Sequence, residues 1–299
     1  MSANDSTLDV VVVSYNNRDE LRGCVEPLVG LPGVSVVVVD NASSDGSLEV
    51  VSDLPVTALA SGSNSGFAHG CNFGWRAGHG DYVLFLNPDA RIDGESLRAL
   101  AAALDADPAL GAVAPRIHDE DGELDYSQRR EPRLRTTYAQ ALFLHRLFPH
   151  AAWTDEVIRD PRAYEEPGRP DWVSGACILV RRSVLEQLGG LDQGFFMYCE
   201  DIDLCRRLRA AGHGLRYEPS ALVIHGGGAS APRPALLPVL AASRLRYAAK
   251  HRSRFGALLE RLGVGLGAAT HVLVSRGGRP MRLGHAKALR LAASSRTQN

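Results

Sequence analysis

Short, fully apolar runs that each end in a polar cluster organise the first part of the chain. Val10 to Val13 is continuous and β-branched, Val34 to Val39 repeats the pattern, Val56 to Ala60 is a shorter candidate, and Asp81 to Leu86 follows. Between them, Arg18 to Leu28, Leu48 to Asp53, part of Asn64 to Gly78, and Leu97 to Asp105 read as helices, the last stopped by Pro108. Ala112 to Ala114 begins a further strand. Strands that are apolar on both faces and alternate with helices predict an α/β fold with a mostly parallel, Rossmann-like sheet covered on both sides.

From Ile117 to Arg169 the periodicity weakens and charge, proline and aromatics increase. Loops are expected here, with a hairpin at Asp121-Gly122 and a helix near Thr136 to Leu147. Trp172 to Arg182 reads as a strand, Ser183 to Leu188 as a helix closed by Gly189, and Ile202 to Ala211 as a helix ended by Gly212. Leu215 to Tyr217 and Ala221 to Ile224 are strand-like. After Gly226-Gly227-Gly228 and the prolines 232, 234 and 238 the composition shifts to helical stretches carrying Arg244, Arg246, Lys250, Arg252, Arg254, Arg261, Arg276, Arg279, Arg282, Lys287 and Arg290, with Glu260 almost alone on the acidic side. The expected organisation is one domain over 1–230, with halves of about 1–115 and 116–230, followed by a basic helical extension over 231–299.

Ligands of such sheets bind beyond the carboxyl ends of the strands. Polar clusters stand at those places: Ser14-Tyr15-Asn16, Asp40-Asn41 and Asn87-Pro88-Asp89. Separate strands therefore deliver polar side chains towards one edge.

Composition changes this picture little. The chain has 299 residues, 45% hydrophobic and 22% charged, with a formal net charge of -1; it is long enough for a sizeable core, and no nucleic-acid partner is expected. Its five cysteines form no CxxC pair, so reduced, buried thiols in a cytosolic setting are expected. A cleaved leader is not expected from the polar Met1 to Asp9, nor a spanning helix, because the longest apolar candidate, Leu262 to Val274, is short and broken by glycines.

The chemistry-bearing residues suit sugar transfer from a nucleotide diphosphate. That reaction needs a divalent cation on the departing diphosphate and a base on the acceptor hydroxyl, opposite the leaving group. Asp89 is aimed out of its strand end by Pro88 and is a candidate metal or diphosphate ligand; alone it equally fits a turn. Glu200, Asp201 and Asp203 open a helix after an aromatic run; they can cap that helix or set a base against a sugar, with crowding raising one carboxyl. His225 follows a strand and precedes glycines, either as a satisfied structural histidine or as a metal ligand. Asp40 can meet a ribose or base edge or cap a turn with Asn41 to Gly46, and Asn64, Gly66 and Asn72 can let a backbone approach a diphosphate. Neither GxGxxG nor a GxxxxGK[ST] loop occurs.

In this order the segments Val11 to Asn17, Val38 to Ser47, Asn64 to Gly74, Phe85 to Ala90, Trp172 to Arg182, Phe195 to His213 and Val223 to Ser230 resemble family 2 glycosyltransferases of the nucleotide-diphospho-sugar (GT-A) fold, most of all the bacterial rhamnosyltransferases of cell-wall and surface-polysaccharide assembly. The resemblance implies that Ser14, Tyr15, Asp40 and Asn41 line a nucleoside pocket and that Asn64, Gly66 and Asn72 shape the donor cradle. Asp89 matches the last acid of a DxD-type metal motif whose first position is here Asn87, and His225 matches a C-terminal metal ligand, for Mg²⁺ or Mn²⁺. Asp201 is the implied base with Glu200 beside it, and Trp172, Ser174 and Gly175 wall the acceptor. The implied reaction is inverting transfer of L-rhamnose from dTDP-rhamnose to a polyprenyl-diphosphate-linked or polysaccharide acceptor. The implied location is the inner face of the cell membrane, held peripherally. The basic extension fits an anionic lipid surface, a solvated face or a contact between copies of the chain. Competing readings are a transferase using a UDP-sugar, a catalytically silent sugar-nucleotide-binding scaffold, and a nucleotidyltransferase, which would need a basic glycine-rich loop where Ser14-Tyr15-Asn16-Asn17 stands.

Overall fold

A computed structural model describes residues 6–227, 232–274 and 278–294. In chain order the elements are β1 (Leu8–Ser14), α1 (Arg18–Val25), β2 (Val34–Asp40), β3 (Thr57–Ala60), α2 (Phe67–Ala77), β4 (Tyr82–Leu86), β5 (Ala90–Ile92), α3 (Gly94–Ala106), β6 (Leu110–His118), β7 (Leu124–Asp125), β8 (Gln128–Arg129), α4 (Leu134–Ala141), α5 (Leu144–Leu147), β9 (Trp172–Val173), β10 (Cys177–Arg181), α6 (Arg182–Leu188), α7 (Glu200–Ala210), β11 (Gly214–His225), α8 (Arg233–His251), α9 (Arg254–Val274) and α10 (Gly278–Ala293). They form two compact units, one of 1–129, 160–194 and 200–230, the other of 130–159, 195–199 and 231–299. The second unit thus takes in two inner segments that the composition shift after Gly226 does not announce.

The first unit is built on a sheet in the order β3-β2-β1-β4-β10-β6-β11-β5, with β7 on β6. β3, β2, β1 and β4 are parallel neighbours, as the uniformly apolar runs predict. β10 runs antiparallel between β4 and β6, and β5 antiparallel on β11. Alternate residues of each central strand enter opposite cores: Val10, Val12, Val36, Val38, Leu84 and Leu86 pack with residues of α1 and α3, while Val11, Val13, Val37, Val39, Val83 and Phe85 pack with residues of α2, α6 and α7.

Several expectations are corrected locally. Leu48 to Asp53 holds only a 3₁₀ turn, Glu49–Val51. The helix expected at Thr136 to Leu147 is two pieces broken at Phe143, whose φ is 59°. Trp172 to Arg182 is two strands separated by Ser174-Gly175-Ala176. The two strand-like stretches after Leu215 are one strand with an irregularity between Glu218 and Leu222. All five cysteines are free and buried, and burial raises the thiols of Cys24, Cys71 and Cys177.

Helix α2 approaches β1 through glycine. A Cβ on Gly74 would stand 2.4 Å from Val11 Cγ1, and one on Gly70 2.6 Å from Val13 Cγ1. Alanine would gain helix propensity of at most ~1 kcal/mol, but the valines belong to a closed sheet core and cannot yield. Overpacking of about 1–3 kcal/mol wins, so Gly74→Ala lowers stability, measured as an earlier urea midpoint.

The second unit is helical. α8, α9 and α10 meet through small residues, with Ala241, Ala268 and Ala288 packed on Val264 and Leu289. Its buried acids are neutralised: Arg244 forks onto Glu156 at 2.6 and 3.0 Å, and Glu260 takes Arg252 and the Thr137 hydroxyl. α9, which contains the Leu262 to Val274 stretch, has 21 residues and is apolar enough to cross a membrane by length and composition alone.

Candidate active site

The site lies in the first unit, at the carboxyl ends of β1, β2 and β4, where parallel pairing sets Ser14 beside Asp40. The loops beyond are stitched together: the Asn16 N–H donates to Ser43 Oγ at 2.9 Å, the Ser44 N–H to Asn16 Oδ1 at 2.8 Å, and the Asn17 N–H to Ser47 Oγ at 3.1 Å. Asn16 accepts a left-handed φ of 56° to do this. Asp40 uses one oxygen on the Ser43 N–H (3.0 Å) and Asn41 uses its amide nitrogen on the Gly66 carbonyl (3.1 Å). Ser14 Oγ, Asp40 Oδ1 and Asn41 Oδ1 remain buried without a protein partner. Orphaned buried polar atoms are costly unless a ligand or water meets them. Three of them around neighbouring strand ends make a polar socket suited to a ribose and base. Tyr15, half-exposed beside it, adds a ring face.

The donor-cradle residues divide. Gly66 caps α2 with φ 95°, a conformation only glycine takes easily, and its N–H donates to Asn64 Oδ1. Asn72 is a correction: its side chain donates to the Leu191 carbonyl (2.7 Å) and accepts from the Leu191 N–H and Trp75 Nε1. It is buried and latches α2 to the 190–191 loop, so its side chain is turned to Leu191 and Trp75 rather than to a diphosphate.

At the end of β4, Asn87, Asp89 and His225 converge. β11 pairs His225 with Ala90, and the Gly226 N–H donates to the Asp89 carbonyl. The His225 Nε2 then stands 3.3 Å from Asp89 Oδ1 and 3.3 Å from Asn87 Nδ2. Burial opposes charge on this imidazole, but the hydrogen bond and charge of Asp89, and the charge of Asp125, raise its pKa above the ordinary value. Among the described residues no third carboxylate, thiol or imidazole joins them. One carboxylate and one imidazole suit a hard or borderline divalent cation that takes its remaining ligands from substrate phosphate and water. Gly228, in the glycine run after His225, lies outside the described residues.

Glu200 and Asp201 open α7 after Tyr198 and Cys199, both left-handed at φ 69° and 66°. Such paired strain persists only where the surroundings enforce it. Asp201 receives the Gly175 N–H at 3.2 Å and the Ile202 N–H at 2.8 Å. A Cβ on Gly175 would meet Asp201 Cβ at 3.3 Å, so glycine permits this approach. Burial pushes the Asp201 carboxyl up, against those two N–H groups and the charge of Arg129. Glu200 is pushed further: one of its oxygens is buried without a partner, and burial and the charge of Asp201, against one backbone hydrogen bond, push it up to about 8. Burial raises both carboxyls, and Glu200, with the charge of Asp201 beside it, is the more strongly raised of the two. Asp203 is structural, buried on Arg207 at 2.6 Å.

These groups are joined through the backbone. Asp201 holds Gly175; the next residue, Ala176, accepts the Asn87 N–H at 2.9 Å; and Asn87 touches His225. Trp172, Ser174 and Gly175 sit on this connection, and the Ser174 N–H donates to the Ser127 carbonyl. Arg129, not singled out in the sequence, lies with its guanidinium 5.6 Å from the Trp172 ring centroid and its Nε buried without a partner. A lone arginine at the end of a two-residue strand carries no sequence signal.

The Glu200 shift has a consequence for stability. Its carboxyl ionises near 4.5 when unperturbed and near 8 in the fold, so between those values the folded protein holds a proton that the unfolded chain has released. Stability is therefore fully present below about pH 4.5 and falls as pH rises to about 8. Glu200→Gln copies the protonated form. Its gain over the parent grows from near zero below about pH 4 to on the order of 4 kcal/mol at pH 8, read as a diverging pair of melting curves.

The family model for Glycosyl transferase family 2 matches residues 9–189. The chain is 36% identical over 233 residues, 73% of its length and 75% of the relative's, to the N-acetylglucosaminyl-diphospho-decaprenol L-rhamnosyltransferase of Mycobacterium tuberculosis. It is 29% identical over 228 residues to the rhamnosyltransferase WbbL of Escherichia coli, covering 72% and 82%. Among solved structures it resembles a mannosyltransferase of Pyrobaculum calidifontis in complex with GDP-Man and Mn²⁺, with TM-score 0.56 and 19% identity over 98% of this chain and 82% of that one. It also resembles Staphylococcus aureus TarS residues 1–349, with TM-score 0.54 and 16% identity, covering 95% and 88%.

Proposed function

Because the chain belongs to glycosyl transferase family 2, and so is a glycosyltransferase of GT-A fold, we propose that it transfers L-rhamnose from dTDP-rhamnose, with inversion, onto a polyprenyl-diphosphate-linked sugar or the polysaccharide growing from it. The observation that carries the mechanism is Asp201, held by two backbone N–H groups beside a Glu200 whose carboxyl burial pushes up, and linked through Gly175, Ala176 and Asn87 to the Asp89–His225 pair. In this reading Ser14, Tyr15, Asp40 and Asn41 bind the nucleoside, and Asn64, Gly66 and Asn87 border the diphosphate. Asp89 and His225 hold Mg²⁺ or Mn²⁺. The cation, when bound, supplies positive charge against the leaving diphosphate. Asp201 takes the proton of the acceptor hydroxyl as that oxygen attacks the anomeric carbon from the face opposite the diphosphate. Glu200, beside it, is placed to bind the acceptor. Trp172 and Arg129 offer a ring face and a cation to it.

The printed names of the two relatives support rhamnose and, in the mycobacterial case, a lipid-linked acceptor. Such an acceptor calls for a peripheral enzyme at the inner face of the membrane. A panel of dTDP-, UDP- and GDP-sugars, offered with a diphosphate-linked N-acetylglucosamine acceptor and followed by mass, tests the proposal. Transfer is expected from dTDP-rhamnose. A preference for a UDP-sugar overturns the donor, and donor binding without any transfer returns the chain to a silent scaffold.

A further inference from the structure

The outward face of α9 is inverted relative to an ordinary surface helix. Phe255, Leu258, Leu262, Leu266 and Leu273 recur at helical spacing along one side and are exposed, Phe255 at 69%, Leu262 at 56% and Leu273 at 78%. The other sides are spent. Gly263 meets Thr137 and Tyr138 of α4, Gly267 meets Ala141, and Val264 and Ala268 pack with residues of α8 and α10. The acidic residue of this helix, Glu260, is buried and paired. Beside the carboxyl end of the stripe, where Thr270 Oγ1 donates to the Ala141 carbonyl, the chain exposes Leu147 and Phe148. A contiguous apolar surface of this kind marks an interaction site.

Charge identifies the occupant. Arg254, exposed, precedes Phe255, and the exposed positions of α10, which follows Leu273, include Arg279, Arg282, Lys287 and Arg290. Between Ala231 and Asn299 Glu260 is the one acidic residue. A second copy would bring this cationic region against itself, whereas anionic headgroups complement it. Spanning is disfavoured, because a spanning helix cannot leave a paired glutamate and an arginine on its flanks without cost.

We propose that α9 is an interfacial insertion helix: its leucine stripe enters the headgroup–acyl boundary of an anionic bilayer while the surrounding arginines engage lipid phosphates. This deepens, and rests on, the lipid-linked acceptor proposed above. It assigns the main contact to apolar side chains, with the basic residues setting lipid preference.

Flotation of the full chain with vesicles of phosphatidylcholine alone or mixed with phosphatidylglycerol tests it. The protein is expected to float with the anionic vesicles. The combined Leu258→Gln, Leu262→Gln and Leu266→Gln variant, altered only at exposed positions, is expected to keep its melting temperature and lose partitioning by about 100-fold or more. A separate Leu262→Trp reporter is expected to shift its emission to the blue on those vesicles. Flotation of the triple variant equal to the parent, or an unshifted tryptophan on vesicles that do bind, overturns the proposal. So does a parent dimer that the triple variant turns to monomer, which would give the stripe to a second copy. Transfer to a short-chain, water-soluble diphosphate acceptor separates this from the functional reading. The triple variant is expected to match the parent there and to fall behind only on acceptor embedded in vesicles. A parent inactive on both acceptors rejects the transferase reading, while flotation still judges α9.

Discussion

Asp201→Asn is expected to lower kcat by about 10²–10⁴-fold, the usual contribution of a positioned general base, with donor affinity unchanged. Asparagine keeps the size and can still accept the Gly175 and Ile202 N–H groups through its oxygen, so the start of α7 survives. What disappears, on the proposed mechanism, is the carboxylate that takes a proton as the acceptor oxygen attacks. The side chain has no contact with Asp89 or His225, only the backbone connection through Gly175 and Ala176, so nucleotide binding has no reason to change. Single-turnover transfer measured beside calorimetric donor binding checks both halves. A variant with parental kcat removes Asp201 from the role of base. Glu200→Gln leaves the Asp201 carboxyl in place and is expected to be far less damaging, which distinguishes the two adjacent acids.

Chelation is expected to lower turnover on the order of 10³-fold, since charge stabilisation by a divalent cation is worth several kcal/mol. The protein offers Asp89 and His225 as the donors at this position, too few to retain a cation tightly by themselves, so dialysis alone should strip it and Mn²⁺ or Mg²⁺ should restore the rate. Asp89→Ala removes the carboxylate and leaves the Asn87 amide in contact with His225. It is expected to match the chelated enzyme and to recover little at millimolar metal. Titration of rate against metal, in the parent and the variant, measures this. Full activity in excess chelator would show that the diphosphate departs without a cation.

The parallel strands were legible because β-branched apolar runs bounded by polar clusters have few other homes, and Ser14, Asp40 and Asn87 could be placed at strand ends from those boundaries. β10 was not legible as antiparallel: Cys177 to Val180 is apolar and covered on both faces, and such a run reads alike in either direction. The break at Phe143 escaped notice because a left-handed phenylalanine is held by its surroundings rather than by propensity. Asn72 had the right type and neighbourhood for a ligand contact, yet Leu191, far along the chain, consumes its amide.

Local pattern by itself therefore determined most of the elements of the first half, the sheet type around β1, β2 and β4, and which polar residues stand at strand ends. Tertiary structure alone decided that His225 reaches Asp89 and Asn87, that Gly175 cradles Asp201, that Arg129 lies on Trp172, and that the leucines of α9 face outward. The reason is physical. Periodicity records that a helix or strand has an apolar face, but what covers that face, and which partner meets a buried polar atom, is set by chain segments from a few tens to more than a hundred residues apart that meet only when the sheet order is complete.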